Sequence, residues 1–169
     1  MNPTSASVAM TESEAIQIAF PDEPNWHVVP DDVLVALVVT HQCEPSCAQS
    51  ALTELKSRGH HQTGALCESL LHDSNADRWL RAGAMSILLS HHPLEGFGIA
   101  LAMTDDCEAE LLEEIVEALN YEHQGPLAEI VHAHPLVQRV RERLVRQGID
   151  QVEFGALFMD NFGGNPPVG

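Results

Sequence analysis

Basic residues are scarce in this sequence. Eight lysines and arginines stand against 25 aspartates and glutamates, for a formal charge of -17 over 169 residues. So negative a chain is repelled by phosphate backbones and anionic lipid heads, which argues against direct nucleic-acid binding and against a membrane surface. Aromatic residues are few as well, at 5%. With an apolar content drawn mostly from Ala, Leu, Val and Ile, that composition favours close-packed helices over a β-sandwich. No apolar run approaches the roughly 18 residues of a membrane span. The opening MNPTSASVAMTESEAIQIAF lacks a basic region ahead of an apolar one, so a cytoplasmic location is expected. The four cysteines, Cys43, Cys47, Cys67 and Cys107, are then expected as reduced thiols. GxGxxG, GxxxxGK[ST], HExxH and GxSxG are all missing, and no enzyme is expected.

What is present is enough to fold. Hydrophobic residues make up 44% of the chain, too many for a disordered polymer, and the length suits one domain. Residues 1–30, broken by Pro21, Pro24 and Pro30, read as a loosely ordered leader. Residues 31–148 read as a helical repeat domain, and 149–169 as a C-terminal cap segment and tail. Apolar spacing predicts eight helices near 31–41, 45–58, 62–72, 76–90, 94–103, 107–121, 125–133 and 136–147. Pro45 and Ser46 open the second and Gly59 closes it; Asn75 is the expected cap of the fourth, with Arg78 and Arg81 on its wet side. Pro93 and Pro126 suit first turns, and Gly148 ends the last long helix. Short connections imply antiparallel neighbours.

The segments 51–74, 84–106 and 115–135 superimpose in pattern, with Leu55 falling on Leu88 and His60-His61 within a residue of His91-His92. The period is about 30 residues, two helices to a unit. Asp77-Arg78-Trp79-Leu80-Arg81-Ala82-Gly83-Ala84 resembles the first helix of a HEAT-like α-solenoid unit. Pro135-Leu136-Val137-Gln138-Arg139-Val140 resembles the opening of another. The likeness spans roughly residues 31–147, in units shorter than the typical HEAT length of about 40 residues. It implies an all-α fold of short antiparallel helix pairs, stacked as a repeat array with a binding face. An irregular helical bundle is the alternative.

Candidate chemistry is sparse. His60, His61, His91, His92 and His123 fall in expected turns. Repeated turns would align them as a row able to hold a transition metal, or merely to offset helix C-termini. Cys43 and Cys47 are neighbours if one helix holds both, and His41 would add a third ligand; the spacing is CxxxC rather than the zinc CxxC. Cys67 and Cys107 read as core residues. His132-x-His134 is a weak signal at a helix end. Phe154, Leu157, Phe158 and Phe162 suggest a short helix near 151–160, as a cap or as an aromatic anchor.

The working surface is expected in the acidic run Asp105, Asp106, Glu108, Glu110, Glu113, Glu114 and Glu117. Leu111, Leu112, Ile115, Val116 and Leu119 give the same helix a buried stripe, which puts Glu110, Glu113, Glu114 and Glu117 opposite. The first acids complement the helix dipole, whereas the later ones repel one another. Residues 75–134 carry eleven acids against two arginines, while 135–169 balance four acids with Arg139, Arg141, Arg143 and Arg146. The expected function is therefore non-catalytic capture of a basic protein on an acidic face, without a cofactor. Its most specific form is a bacterial immunity or inhibitor protein blocking a basic toxin or nuclease. The alternatives are an adaptor or scaffold subunit of a larger complex, and a metal-binding protein or metal-dependent enzyme using the His turns.

Overall fold

The computed structural model describes residues 25–163. Most of the leader, residues 1–24, and the tail beyond Gly163 lie outside them. Among the described residues there are nine α-helices, one turn of 3-10 helix at Trp26–Val28, and no strand. The helices are α1 (Asp31–Val39), α2 (Pro45–Ser57), α3 (Thr63–His72), α4 (Arg78–His91), α5 (Pro93–Met103), α6 (Ala109–Glu122), α7 (Ala128–Ala133), α8 (Pro135–Gln147) and α9 (Glu153–Phe162). None is long and apolar enough to cross a membrane. The fold is all-helical, as composition implied.

Local chemistry sets the ends. Pro45, Pro93 and Pro135 each occupy a first turn, where their missing N–H is no loss. Gly59 and Gly148 take left-handed φ of 64° and 69°. Each lets the following residue reach back, His60 N to Leu55 O at 2.9 Å and Ile149 N to Leu144 O at 3.0 Å, closing α2 and α8 by the Schellman pattern. The cap of α4 is Asp77, whose Oδ1 accepts from Trp79 N at 2.9 Å and Leu80 N at 3.2 Å. Asn75, the expected cap, instead donates its backbone N–H to Asp73 at 2.8 Å, because α4 starts two residues later than its apolar spacing suggests. Pro126 likewise precedes α7, which opens at Ala128.

The chain divides into a unit ending at Leu80 and one beginning at Arg81, the boundary falling inside α4. In the first, α1, α2 and α3 pack on one another and the 3-10 turn packs on α2. Leu34, Ala48, Leu52, Leu55 and Cys67 are fully buried. Arg58, just after α2, ties the end of the leader down. Its guanidinium donates to Glu54 Oε1 at 2.8 Å, Val29 O at 2.9 Å, Trp26 O at 2.8 Å and Asp31 Oδ1 at 2.5 Å. That bond from Arg58 holds the Glu54 carboxyl below its ordinary range. Residues 25–30, expected to be loose, are therefore fixed on α2.

In the second unit α5 packs on α8 and α6 on α9, while α7 touches both α6 and α8, and α9 also meets α8. These pairings are compatible with an irregular bundle. Along the chain a long helix is followed by a shorter one four times over, 13 then 10 residues in α2 and α3, 14 then 11 in α4 and α5, 14 then 6 in α6 and α7, and 13 then 10 in α8 and α9. Phe158 and Phe162 of α9 are buried, so this helix covers α6, and Asn161 Nδ2 donates to Asn120 Oδ1 at 3.0 Å.

One cation is buried here. Arg143, 4% exposed, donates to the carbonyls of Thr104 and Cys107, the latter at 2.5 Å, and to Gln147 Oε1 at 3.3 Å. It closes the turn after α5, whose carbonyls would otherwise be orphaned. Replacing Arg143 by Leu should destabilise the protein by about 2–4 kcal/mol, because two shielded acceptors lose charged donors. Arg139→Ala, which removes one long, exposed ion pair at 3.4 Å, should cost no more than about 1 kcal/mol. Urea unfolding midpoints of the two variants check the ordering.

Candidate functional site

Helix α6 carries the expected working face, and its rotation is set by its apolar stripe. Leu111, Leu112, Ile115, Val116 and Leu119 are all at 0% exposure, as their spacing predicts. At 100° per residue this leaves Glu113 and Glu117 pointing to solvent, and both are exposed. Neither meets a cation among the described residues at ion-pair distance.

The other acids of the run part company. Asp105 is exposed but shared by Arg139 Nη1 at 3.4 Å and Arg146 Nη2 at 3.3 Å. Asp106 is exposed. Glu108 pairs with Arg81, whose side chain is only 12% exposed, so Arg81 does not lie on the wet side of α4. Glu110 and Glu114 are half-buried rather than fully wet. They flank the stripe, where the next 100° step turns toward the core.

Glu114 sits in a groove of about 480 Å3 walled by Ser86 and Ser90 of α4 and by Glu117, Tyr121 and Glu122 of α6. Burial pushes its carboxyl above the ordinary range, and the nearby charges of Glu117 and Glu113 push the same way, against a hydrogen bond with Ser86. Tyr121 is 80% exposed at the mouth. Glu122 Oε2 is shielded from solvent without a hydrogen-bond partner. The groove thus combines carboxylates under mutual repulsion with two serines and an open phenol. It can accept ammonium or guanidinium groups.

The histidines do lie in or beside turns: His60 and His61 between α2 and α3, His91 at the end of α4 with His92 just after it, and His123 directly after α6. The rings of His60 and His61 lie 4.5 Å apart. His123 Nδ1 stands 3.4 Å from His132 Nε2. Among the described residues no three His, Cys, Asp or Glu side chains come together as a metal cluster. The His41, Cys43, Cys47 set is dispersed. Cys43 is exposed in the turn before α2, Cys47 is buried inside it, and buried His41 bonds Asp73 Oδ2 at 3.1 Å. Burial raises the Cys67 thiol to about 12 and also raises Cys47 and Cys107, so these three are inert core groups.

Sequence reasoning passed over a second cavity of the same unit, formed by the end of α6, α7, α8 and Phe162 of α9. The arginines of α8, which balance the four acids of residues 135–169 in the sequence, have separate fates. Arg139 and Arg146 serve Asp105, Arg143 is buried, and Arg141 lines this cavity. Only the i, i+4, i+8 run of Leu136, Val140 and Leu144 hinted that they face different ways.

Comparison with known proteins finds no family model, curated protein or solved structure that matches this chain.

The raised carboxyl of Glu114 has a consequence for stability. Its proton is held more tightly in the folded chain than in the unfolded one, where a glutamate titrates near about 4.3. Stability is therefore lost as pH rises from that value through the raised folded value. Glu114→Gln keeps an acceptor for Ser86 and removes the charge. It should abolish this loss and leave the variant more stable than the parent at pH 7, with no gain at pH 4. Urea titrations across that range check it.

Proposed function

We propose that this chain is a non-catalytic binding module whose α6 face captures a basic segment of another protein. One observation carries the reading. Glu113, Glu114 and Glu117 crowd together along one helix without a neutralising cation from the described chain, so their repulsion is an unfavourable term that a bound cation would relieve. The acids nearer the start of α6 have internal tasks: Asp105 and Glu108 pair with arginines. The docking face is accordingly narrower than the whole run, centred on Glu113, Glu114, Glu117 and the open ring of Tyr121, with Asp106 and Glu110 at its border.

The most specific form of this reading is an inhibitor that covers the basic site of a toxin or nuclease. A net charge of -17 would steer such a partner in and speed association. A HEAT-like arrangement of the helix pairs belongs to the same proposal. It is supported by the recurring long-then-short helix succession and by the equivalence of Leu55 and Leu88, both buried. The adaptor reading has its own support in exposed apolar side chains, Trp79 at 61% and Leu94 at 59%, which suit a salt-independent contact.

A fluorescent twelve-residue peptide of alternating Lys and Gly separates these readings. The parent protein should bind it with an affinity that falls steeply between low and physiological salt. Glu113→Lys with Glu117→Lys, two exposed changes that leave the apolar stripe intact, should weaken binding at least about tenfold. Equal affinity of the folded double variant contradicts the proposal.

A further inference from the structure

The second cavity has about 760 Å3, within the range of roughly 300–1,000 Å3 typical of small-molecule sites. Its apolar wall is made by Phe162, Val137 and Pro135. Its polar wall sets Arg141, Gln138 and three histidines against a single carboxylate, Glu129. His134 Nδ1 accepts from Leu136 N at 3.2 Å, which puts the proton of the neutral ring on Nε2. Burial lowers its basicity and keeps it neutral. His134 and Pro135 also begin α8, so the positive end of that helix dipole lies at this wall.

Arg141 decides the sign. It donates through Nη1 to Gln138 Oε1 at 3.1 Å, while its Nε is shielded from water and has no partner. No carboxylate among the described residues stands within ion-pair distance of it, although the chain has 25 acids against 8 basic residues. Its neighbours on α8 are satisfied, two by Asp105 and one by backbone carbonyls. A guanidinium that lines an apolar-walled pocket and has no carboxylate of the described chain to neutralise it is complementary to a carboxylate attached to an apolar body. Glu129, exposed at the rim, opposes a dianion more than a monoanion.

We propose that this cavity binds a small organic monocarboxylate, its head on Arg141 and the His134 Nε2–H and its aromatic or branched body against Phe162 and Val137. This site is separate from the acidic face and does not depend on it.

The probe is 2-naphthoate, set against uncharged 2-naphthylmethanol and cationic 2-naphthylmethylamine. All are titrated into the full-length protein by calorimetry and by amide NMR. The acid should bind with one-to-one stoichiometry and shift amides between His123 and Arg141 and at Phe162. Arg141→Gln, which sacrifices one surface-level bond to Gln138, should weaken it by at least about tenfold. Glu129→Gln should tighten it, and Ala133→Phe should block it by filling the space. Preference for the alcohol or the amine, indifference to Arg141→Gln, or no binding up to about 5 mM would each overturn the proposal.

Discussion

Everything at the proposed docking face depends on the burial of one stripe along α6. Five aliphatic side chains from Leu111 to Leu119 have no exposure at all, and each contributes about 1.5–3 kcal/mol by leaving water. That sum far exceeds the few tenths of a kcal/mol by which each like-charged helical pair disfavours the fold. The helix therefore cannot roll to separate its acids. Glu113 and Glu117 stay in water, and Glu114 stays on the flank where Ser86 and partial burial act on it. The charge repulsion is held in place by the hydrophobic core. In an acid-rich chain that balance leaves a face poised for a cation.

The few cations of the chain show the same logic. Arg58 gathers Glu54, Asp31 and two backbone carbonyls to bind the end of the leader to α2. Arg81 takes Glu108, Arg139 and Arg146 share Asp105, and Arg143 closes a buried turn. These structural duties draw on acids at the margins of α6 and leave its middle alone. Arg141 departs from the pattern, and it does so at an apolar-walled cavity of about 760 Å3. The two candidate sites thus differ in character, one a carboxylate groove and the other an apolar-walled cavity lined by Arg141.

How much of this was legible in the sequence varies with range. The stripe of α6, the glycine ends at Gly59 and Gly148, and a short C-terminal helix all follow from spacing or from residue type, and all are present, the last at Glu153–Phe162 against an expected 151–160. Failures came where a partner lies far along the chain. Arg81 looks wet until Glu108, 27 residues on, is beside it. Arg143 looks like a surface charge, although its place after Leu136 and Val140 puts it on the buried face of α8. Asn75 and Asp77 are both able caps, and local sequence does not choose between them. Cys43 and Cys47 are split because Pro45 begins the helix between them, where the sequence also places its start. The succession of longer and shorter helices is visible along the chain, while how helices pack within each unit is set by long-range contacts that spacing does not encode.

The central claim is that the middle of α6 holds unneutralised charge which a basic partner relieves. The direct measurement is the titration of the Glu114 side-chain carboxyl by carbon NMR, alone and with a saturating Lys/Gly peptide. Alone it should titrate above an ordinary glutamate, and with the peptide it should move down toward or below the ordinary range, releasing a proton on binding in between. An ordinary value in the free protein, or a raised value that the bound peptide leaves unmoved, would contradict the account.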